Sequence, residues 1–140
     1  MYINKFDNYD NIYELARVNN IKTFPYDVMV NGGDPIHGGR VEHGVPHFHF
    51  YDKKIGGKIS LSVKIPTIIE WSFKKDLIII ESNNDVYNNW NTLKKERKEL
   101  IIWLDKKSHI IKTLTNLEYV RLQWNILNKN NTNVNQLKLK

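Results

Sequence analysis

The stretch Val45-Pro-His-Phe-His-Phe-Tyr51, followed by Lys58-Ile-Ser-Leu-Ser-Val-Lys-Ile65, decides the fold. Both runs alternate polar and apolar residues with period two, the repeat of side chains on the two faces of a β-strand. Gly56-Gly57 lies between them, so the two runs read as a β-hairpin. Directly opposed residues of an antiparallel pair share a face. The apolar sets Phe48/Phe50 and Ile59/Leu61/Val63/Ile65 must therefore oppose one another. That demands an even-length loop, such as four residues drawn from Lys53 to Gly57, because a slip of one residue sends every apolar side chain to the wrong face. The other face then carries His47, His49 and Tyr51 beside Lys58, Ser60, Ser62 and Lys64.

Working outward, two more short strands are expected near Ile68 to Phe73 and Leu77 to Glu81, joined by the turn Lys74-Lys75-Asp76. Leu77 to Ile80 reads as a strand buried on both faces. Upstream, Asp27 to Val30 makes at most a short strand, and residues 10–19 read as a short helix with Ile12, Leu15 and Ala16 on one face. Downstream, Ser82-Asn-Asn-Asp85 and Thr115-Asn-Leu-Glu118 both fit the capping box. Val86, Trp90, Leu93, Leu100, Ile101 and Leu104 then form an apolar stripe on a helix over 85–106, and Leu117, Val120, Trp124 and Leu127 form another over 116–128. The expected class is α+β: an antiparallel sheet of about four strands, two C-terminal helices on its apolar face and a short N-terminal helix. One domain over 1–128 with a fraying Asn/Lys tail over 129–140 completes the expectation.

The length of 140 residues suits a single core, and the absence of cysteine excludes disulfide scaffolds, thiol nucleophiles and iron–sulfur sites. A mean hydropathy of −0.52 and no long apolar run argue against a membrane span. Met1-Tyr-Ile-Asn-Lys-Phe6 lacks the basic and then apolar pattern of a secretory signal, which points to a cytoplasmic protein. The net charge of +6 invites a nucleic-acid reading. Yet 17 Lys, 18 Asn and 17 Ile against the single Ala16 also mark the codon bias of an AT-rich genome. Lys94, Lys95, Arg97, Lys98, Lys106 and Lys107 interleave with Glu96, Glu99 and Asp105, the pattern of a solvated helix face, and so nucleic acid is the lesser expectation. Trp71 and Trp103 are left as stacking candidates, and His109 as an exposed loop residue.

Glycine and histidine give a sharper address. All seven glycines lie between residues 32 and 57, with four of the five histidines among them. Residues 31–46 form a long Gly-rich loop directly before the histidine strand. In that loop His37, Gly38, Gly39, Arg40 and His43 are placed to fold over the polar patch, and with Ser60, Ser62 and Lys64 they make a candidate phosphate-binding set. His47 and His49, two residues apart on a strand, also supply two ligands for a divalent metal, the third coming from His37, His43, Glu42, Asp34 or Asp52. Acid/base or nucleophilic work by His49, assisted by His47 or Tyr51, is the third reading, and a structural pair is the fourth.

Val45-Pro-His-Phe-His-Phe50 resembles the hallmark of a small bacterial family of unknown function, a Pro-Pro-His-Phe-His-Val stretch that opens a hairpin. Glu99-Leu-Ile-Ile-Trp103 and Tyr119-Val-Arg-Leu-Gln-Trp-Asn125 look like its two helices, so the resemblance covers residues 43–128. Val45 replaces its first proline, and the sequence around Ile68 to Glu81 is additional. Members are often encoded beside a short partner in toxin–antitoxin-like pairs, which implies a small protein partner and, as the lesser expectation, a nucleic-acid target. Asn31-Gly-Gly33 and His47-Phe-His49-Phe50 also resemble the histidine-triad nucleotide hydrolases and transferases, over some 20 residues. That resemblance implies His49 as the nucleophile on an α-phosphate, although Tyr51 stands in place of the third histidine. The leading expectation is a His-centred site for a phosphate-bearing or metal-bridged ligand in a toxin–antitoxin-like or mobile-element setting. The rival is a non-enzymatic phage or plasmid protein that binds a host complex.

Overall fold

The computed structural model describes residues 25–30, 45–52, 59–83 and 87–128. In chain order the elements are β1 (Tyr26–Met29), β2 (His47–Asp52), β3 (Ser60–Lys64), α1 (Ile68–Phe73), β4 (Ile79–Ser82), α2 (Lys94–Asp105) and α3 (Asn116–Leu127). The four strands form one antiparallel sheet in the order β1-β2-β3-β4, so the fold is α+β. The helix over 10–19, the turn at Gly56-Gly57, most of the Gly-rich loop and the tail over 129–140 lie outside the described residues.

The hairpin has the register its periodicity demands. Phe48 opposes Val63 and Phe50 opposes Leu61, while His47, His49 and Tyr51 oppose Lys64, Ser62 and Ser60. Val28 joins Phe50 from β1. Val28, Phe48, Phe50, Leu61 and Val63 are thus on one face, and all are buried in a single core with Leu100, Trp103 and Leu104 of α2 and Leu117, Val120 and Trp124 of α3. Tyr26 belongs to the same face and donates its hydroxyl to Glu99 Oε1 of α2 at 2.9 Å. Burial, and then the Glu99 hydrogen bond, push the Tyr26 pKa well above its ordinary value, so the phenol stays a donor.

Helix α3 is buried on nearly every side, and Asn116, Glu118, Arg121 and Gln123 are enclosed along with its apolar stripe. Its start is the capping box expected at Thr115: Glu118 N donates to Thr115 Oγ1 at 3.1 Å, and Thr115 N donates to Glu118 Oε1 at 2.9 Å. Asn116 ties the connection down by donating from Nδ2 to Trp103 O at 2.7 Å.

Three expectations are corrected. Ile68 to Phe73 is a helix, although its β-branched and aromatic residues favour a strand. Thr67 and Glu70 form a second capping box, with Glu70 N donating to Thr67 Oγ1 and Thr67 N to Glu70 Oε2, and Trp71 turns inward against the core. The long helix begins at Lys94 rather than near residue 85, and Ser82 ends β4 instead of capping it. Asn89 explains the late start. Its side chain accepts from Asn91 N at 2.6 Å and its carbonyl accepts from Thr92 Oγ1 at 2.7 Å, local bonds that compete with the helix. Finally, Leu77 to Ile80 is covered on one face only: Leu77 is buried, but Ile78 and Ile80 are exposed. Here β4 is an edge strand, and Ile80 is an extra residue opposite the Ser62–Val63 step, a bulge of the kind that blunts edges against pairing.

The single core sets the first prediction. Phe48→Ala is expected to cost about 3–5 kcal/mol in urea unfolding, and Thr115→Ala about 1 kcal/mol. An unchanged midpoint for Phe48→Ala would contradict the face assignment of the hairpin.

Candidate functional site

The pleat that buries Phe48 and Phe50 turns His47, His49 and Tyr51 to the opposite face. Their rings form a short column: His47 and His49 have centroids 5.2 Å apart in an edge-to-face arrangement, and His49 stacks on Tyr51 at 6.1 Å. The column continues past the sheet, because the His47 ring lies 5.3 Å from that of Trp124 on α3. This face is therefore partly covered rather than open. Ser62 is only 7% exposed, and both histidines are half-buried.

Each member is held by a specific neighbour. His47 Nδ1 is 3.0 Å from Val45 O; a carbonyl accepts only, so Nδ1 carries the proton and Nε2 is the acceptor nitrogen of the neutral ring. His49 Nδ1 lies 3.4 Å from Ser62 Oγ, directly across the strand pair, a long contact. It is the one nucleophile-and-base geometry in the set. Ser60 is held through its backbone, its N–H donating to Asn83 Oδ1 at 3.1 Å.

Lys64 is committed elsewhere. Its Nζ donates to Glu70 Oε1 at 2.8 Å, an ion pair joining β3 to α1. The hydrogen bond from Lys64, followed by that from the Thr67 backbone, lowers the Glu70 pKa. A phosphate at Lys64 would have to compete with this carboxylate.

Further contributors lie on α3 and escaped the sequence reading. Arg121 is 4% exposed and donates from Nε to Pro66 O at 3.0 Å, just past the end of β3. Its Nη2 and the Trp124 Nε1 are buried and have no hydrogen-bond partner among the described residues. Burial lowers the Arg121 pKa, while Glu118 and Glu70 raise it. The available signal was the spacing of Arg121 and Trp124, three residues apart and so on one side of a helix.

His37, Gly38, Gly39, Arg40 and His43, with Asp34 and Glu42, lie outside the described residues. Among the described residues there is no group of three or more metal-ligating side chains. Trp103 is buried in the core and Trp71 packs against it while donating to Asp105 Oδ1 at 3.0 Å, so neither is an open stacking platform. Arg97 pairs with Asp76 at 3.3 Å, whereas Lys94, Lys95, Lys98 and His109 are exposed. No helix among the described residues is long and apolar enough to cross a membrane. No family model matches the chain, and no curated protein or solved structure matches it significantly.

The Glu70 shift has a definite sign. A carboxylate whose folded pKa lies below its unfolded value stabilises the fold above the unfolded value, and that contribution is lost as pH falls through the folded one. The stability gap between the parent and Glu70→Gln, read from urea midpoints, should be constant near neutrality and shrink from roughly pH 4.3 downward. A gap independent of pH would contradict the Lys64–Glu70 pairing.

Proposed function

We propose that the chain binds a small phosphate-bearing ligand at the His47–His49 strand. The observation that carries this reading is the immobilised His47 imidazole. Its tautomer is set by Val45 O, and it is clasped between the rings of Trp124 and His49. A pre-oriented imidazole binds a ligand, or exchanges a proton with it, without losing further freedom. The Ser62 hydroxyl beside His49 Nδ1 gives the same site a hydroxyl–imidazole pair suited to hydrogen bonding or proton transfer. Metal bridging is the subordinate form of this reading, since the strand offers two imidazoles and further donors would have to join them. A toxin–antitoxin-like or mobile-element setting rests only on the family resemblance carried by Val45 to Phe50, Glu99 to Trp103 and Tyr119 to Asn125.

A second reading, a protein-interaction module, is favoured by a different place. Phe73 is 82% exposed and Ile69 68%. With Ile78 and Pro66 they line a cleft of about 290 Å³ rimmed by Lys64 and Glu70. Exposed apolar patches with polar rims mark protein contacts.

Calorimetric titration with a nucleoside monophosphate separates the two. The ligand reading expects His49→Ala and His47→Ala each to weaken binding at least tenfold, with melting temperatures close to the parent. If Phe73→Asp abolishes capture of a small partner protein while both alanine variants bind nucleotide like the parent, the second reading replaces the first.

A further inference from the structure

The cleft between α1 and the start of β4 is an apolar surface that the fold leaves uncovered. Ile69, Phe73 and Ile78 line it and all three are exposed, Phe73 by 82%. The turn that joins its two walls is pinned from behind. Lys75 takes a left-handed backbone, with φ 47°, at the end of α1, and its Nζ donates to Asp105 Oδ2 at 2.7 Å. Asp76 Oδ1 accepts from Leu77 N at 3.0 Å and from Arg97 Nη2 at 3.3 Å. The Lys64–Glu70 ion pair ties β3 to α1 on the same cleft. A surface held in this way loses little freedom when a partner docks.

Charge sets this cleft apart from the basic surface around it. Lys64 and Lys74 line it with Glu70 and Asp76, so its formal charge is zero on a chain of net charge +6. The exposed Lys94, Lys95 and Lys98 of α2 would repel a second copy of the chain, whereas the cleft would not. Two of its four charges are fully engaged with each other, Lys64 with Glu70. One group of each sign stays open among the described residues: Lys74 has no carboxylate partner, and Asp76 Oδ2 has no donor because its neighbours bond to Oδ1. These two lie two residues apart on one exposed turn. The patch thus presents both halves of an ion pair that it does not make with itself.

Resting on the reading of the cleft as a protein contact, we propose that its occupant is a second copy of this chain, docked about a two-fold axis so that each Phe73 enters the cleft of the other copy. A two-fold contact uses one patch twice and therefore requires a patch complementary to itself. Shape and charge both meet that requirement. Phe73 is the protruding side chain, and the cleft of about 290 Å³ has room for a phenyl ring, since a cavity of about 150 Å³ already takes a benzene. The same operation brings Lys74 of each copy to the open carboxylate oxygen of Asp76 in the other. An added β-strand is the less suitable mode of contact, because the adjoining edge of β4 is bulged at Ile80. With a few side chains from each copy, the interface belongs to the small, transient class.

Sedimentation equilibrium of the full chain tests this, over loading concentrations from about 10 μM to about 1 mM. The weight-average mass is expected to rise with concentration from the 16.6 kDa of one chain toward twice that value. Phe73→Asp should hold the one-chain mass throughout and melt like the parent, since Phe73 is exposed. Lys74→Asp should weaken association about tenfold, because two-fold symmetry applies the reversal to two contacts at once, and Lys74→Arg should associate like the parent. A parent of one-chain mass at every concentration would overturn the second copy as occupant. Capture of a small partner protein by that monomer, lost in Phe73→Asp, would then leave the cleft standing as a contact for a different chain. A Phe73→Asp variant that dimerises like the parent would overturn this face as the interface, and a Lys74→Asp variant that does so would overturn the pairing of Lys74 with Asp76 about the axis.

Discussion

The opposition of Phe48 to Val63 and of Phe50 to Leu61 is the constraint on which the remaining structure depends. Four large apolar side chains on one face of a two-stranded ribbon have to be covered. Leu100, Trp103 and Leu104 from α2 and Leu117, Val120 and Trp124 from α3 join them in one core. A ribbon has two faces, so the same register sends His47, His49 and Tyr51 to the other side beside Lys64, Ser62 and Ser60. Core and candidate site are thus two consequences of one pairing. A shift of one residue would exchange them, burying imidazoles and exposing phenyl rings.

Most of this was legible because a period-two pattern is informative wherever one face is buried. The register of β2 and β3 and the capping box of α3 follow from residue type and spacing, whereas the edge position of β4 does not, because Leu77 to Ile80 reads as a strand buried on both faces. The misreadings have different causes. Ile68-Ile69 and Trp71 favour a strand, but Thr67 and Glu70 satisfy the first-turn N–H groups and begin a helix. Between Ser82 and Lys94 the apolar stripe pointed to a helix, but Asn89 binds its own backbone neighbours instead.

The site was legible only in part. Which face carries the histidines was written in the alternation of residues 47–51, but who neighbours them was not. The pairing of Lys64 with Glu70 depends on α1, the element misread as a strand. The approach of Trp124 to His47 joins residues 77 positions apart, beyond the reach of any local pattern. These contacts change the chemistry expected of the strand. A lysine placed to meet phosphate is paired with a carboxylate, while Arg121, which no sequence signal singled out, is enclosed near the His47 end of the sheet. The net charge of +6 is a poor guide here, because among the described residues the lysines of α2 and of the loop after it are exposed while Arg121 is enclosed.

The strand pairing is the claim that carries both faces, and proton NMR tests it directly. Asp52 N bonds to Ile59 O and Ile65 N to Pro46 O, so His49 and Ser62 form a non-hydrogen-bonded pair. The Cα atoms of such a pair lie about 4.5 Å apart, close enough for a strong cross-strand Hα–Hα Overhauser effect. The account predicts that effect between His49 and Ser62 and again between His47 and Lys64. An effect linking His49 to Leu61 or to Val63 instead would mean a register slipped by one residue, and would contradict both the core and the site built on it.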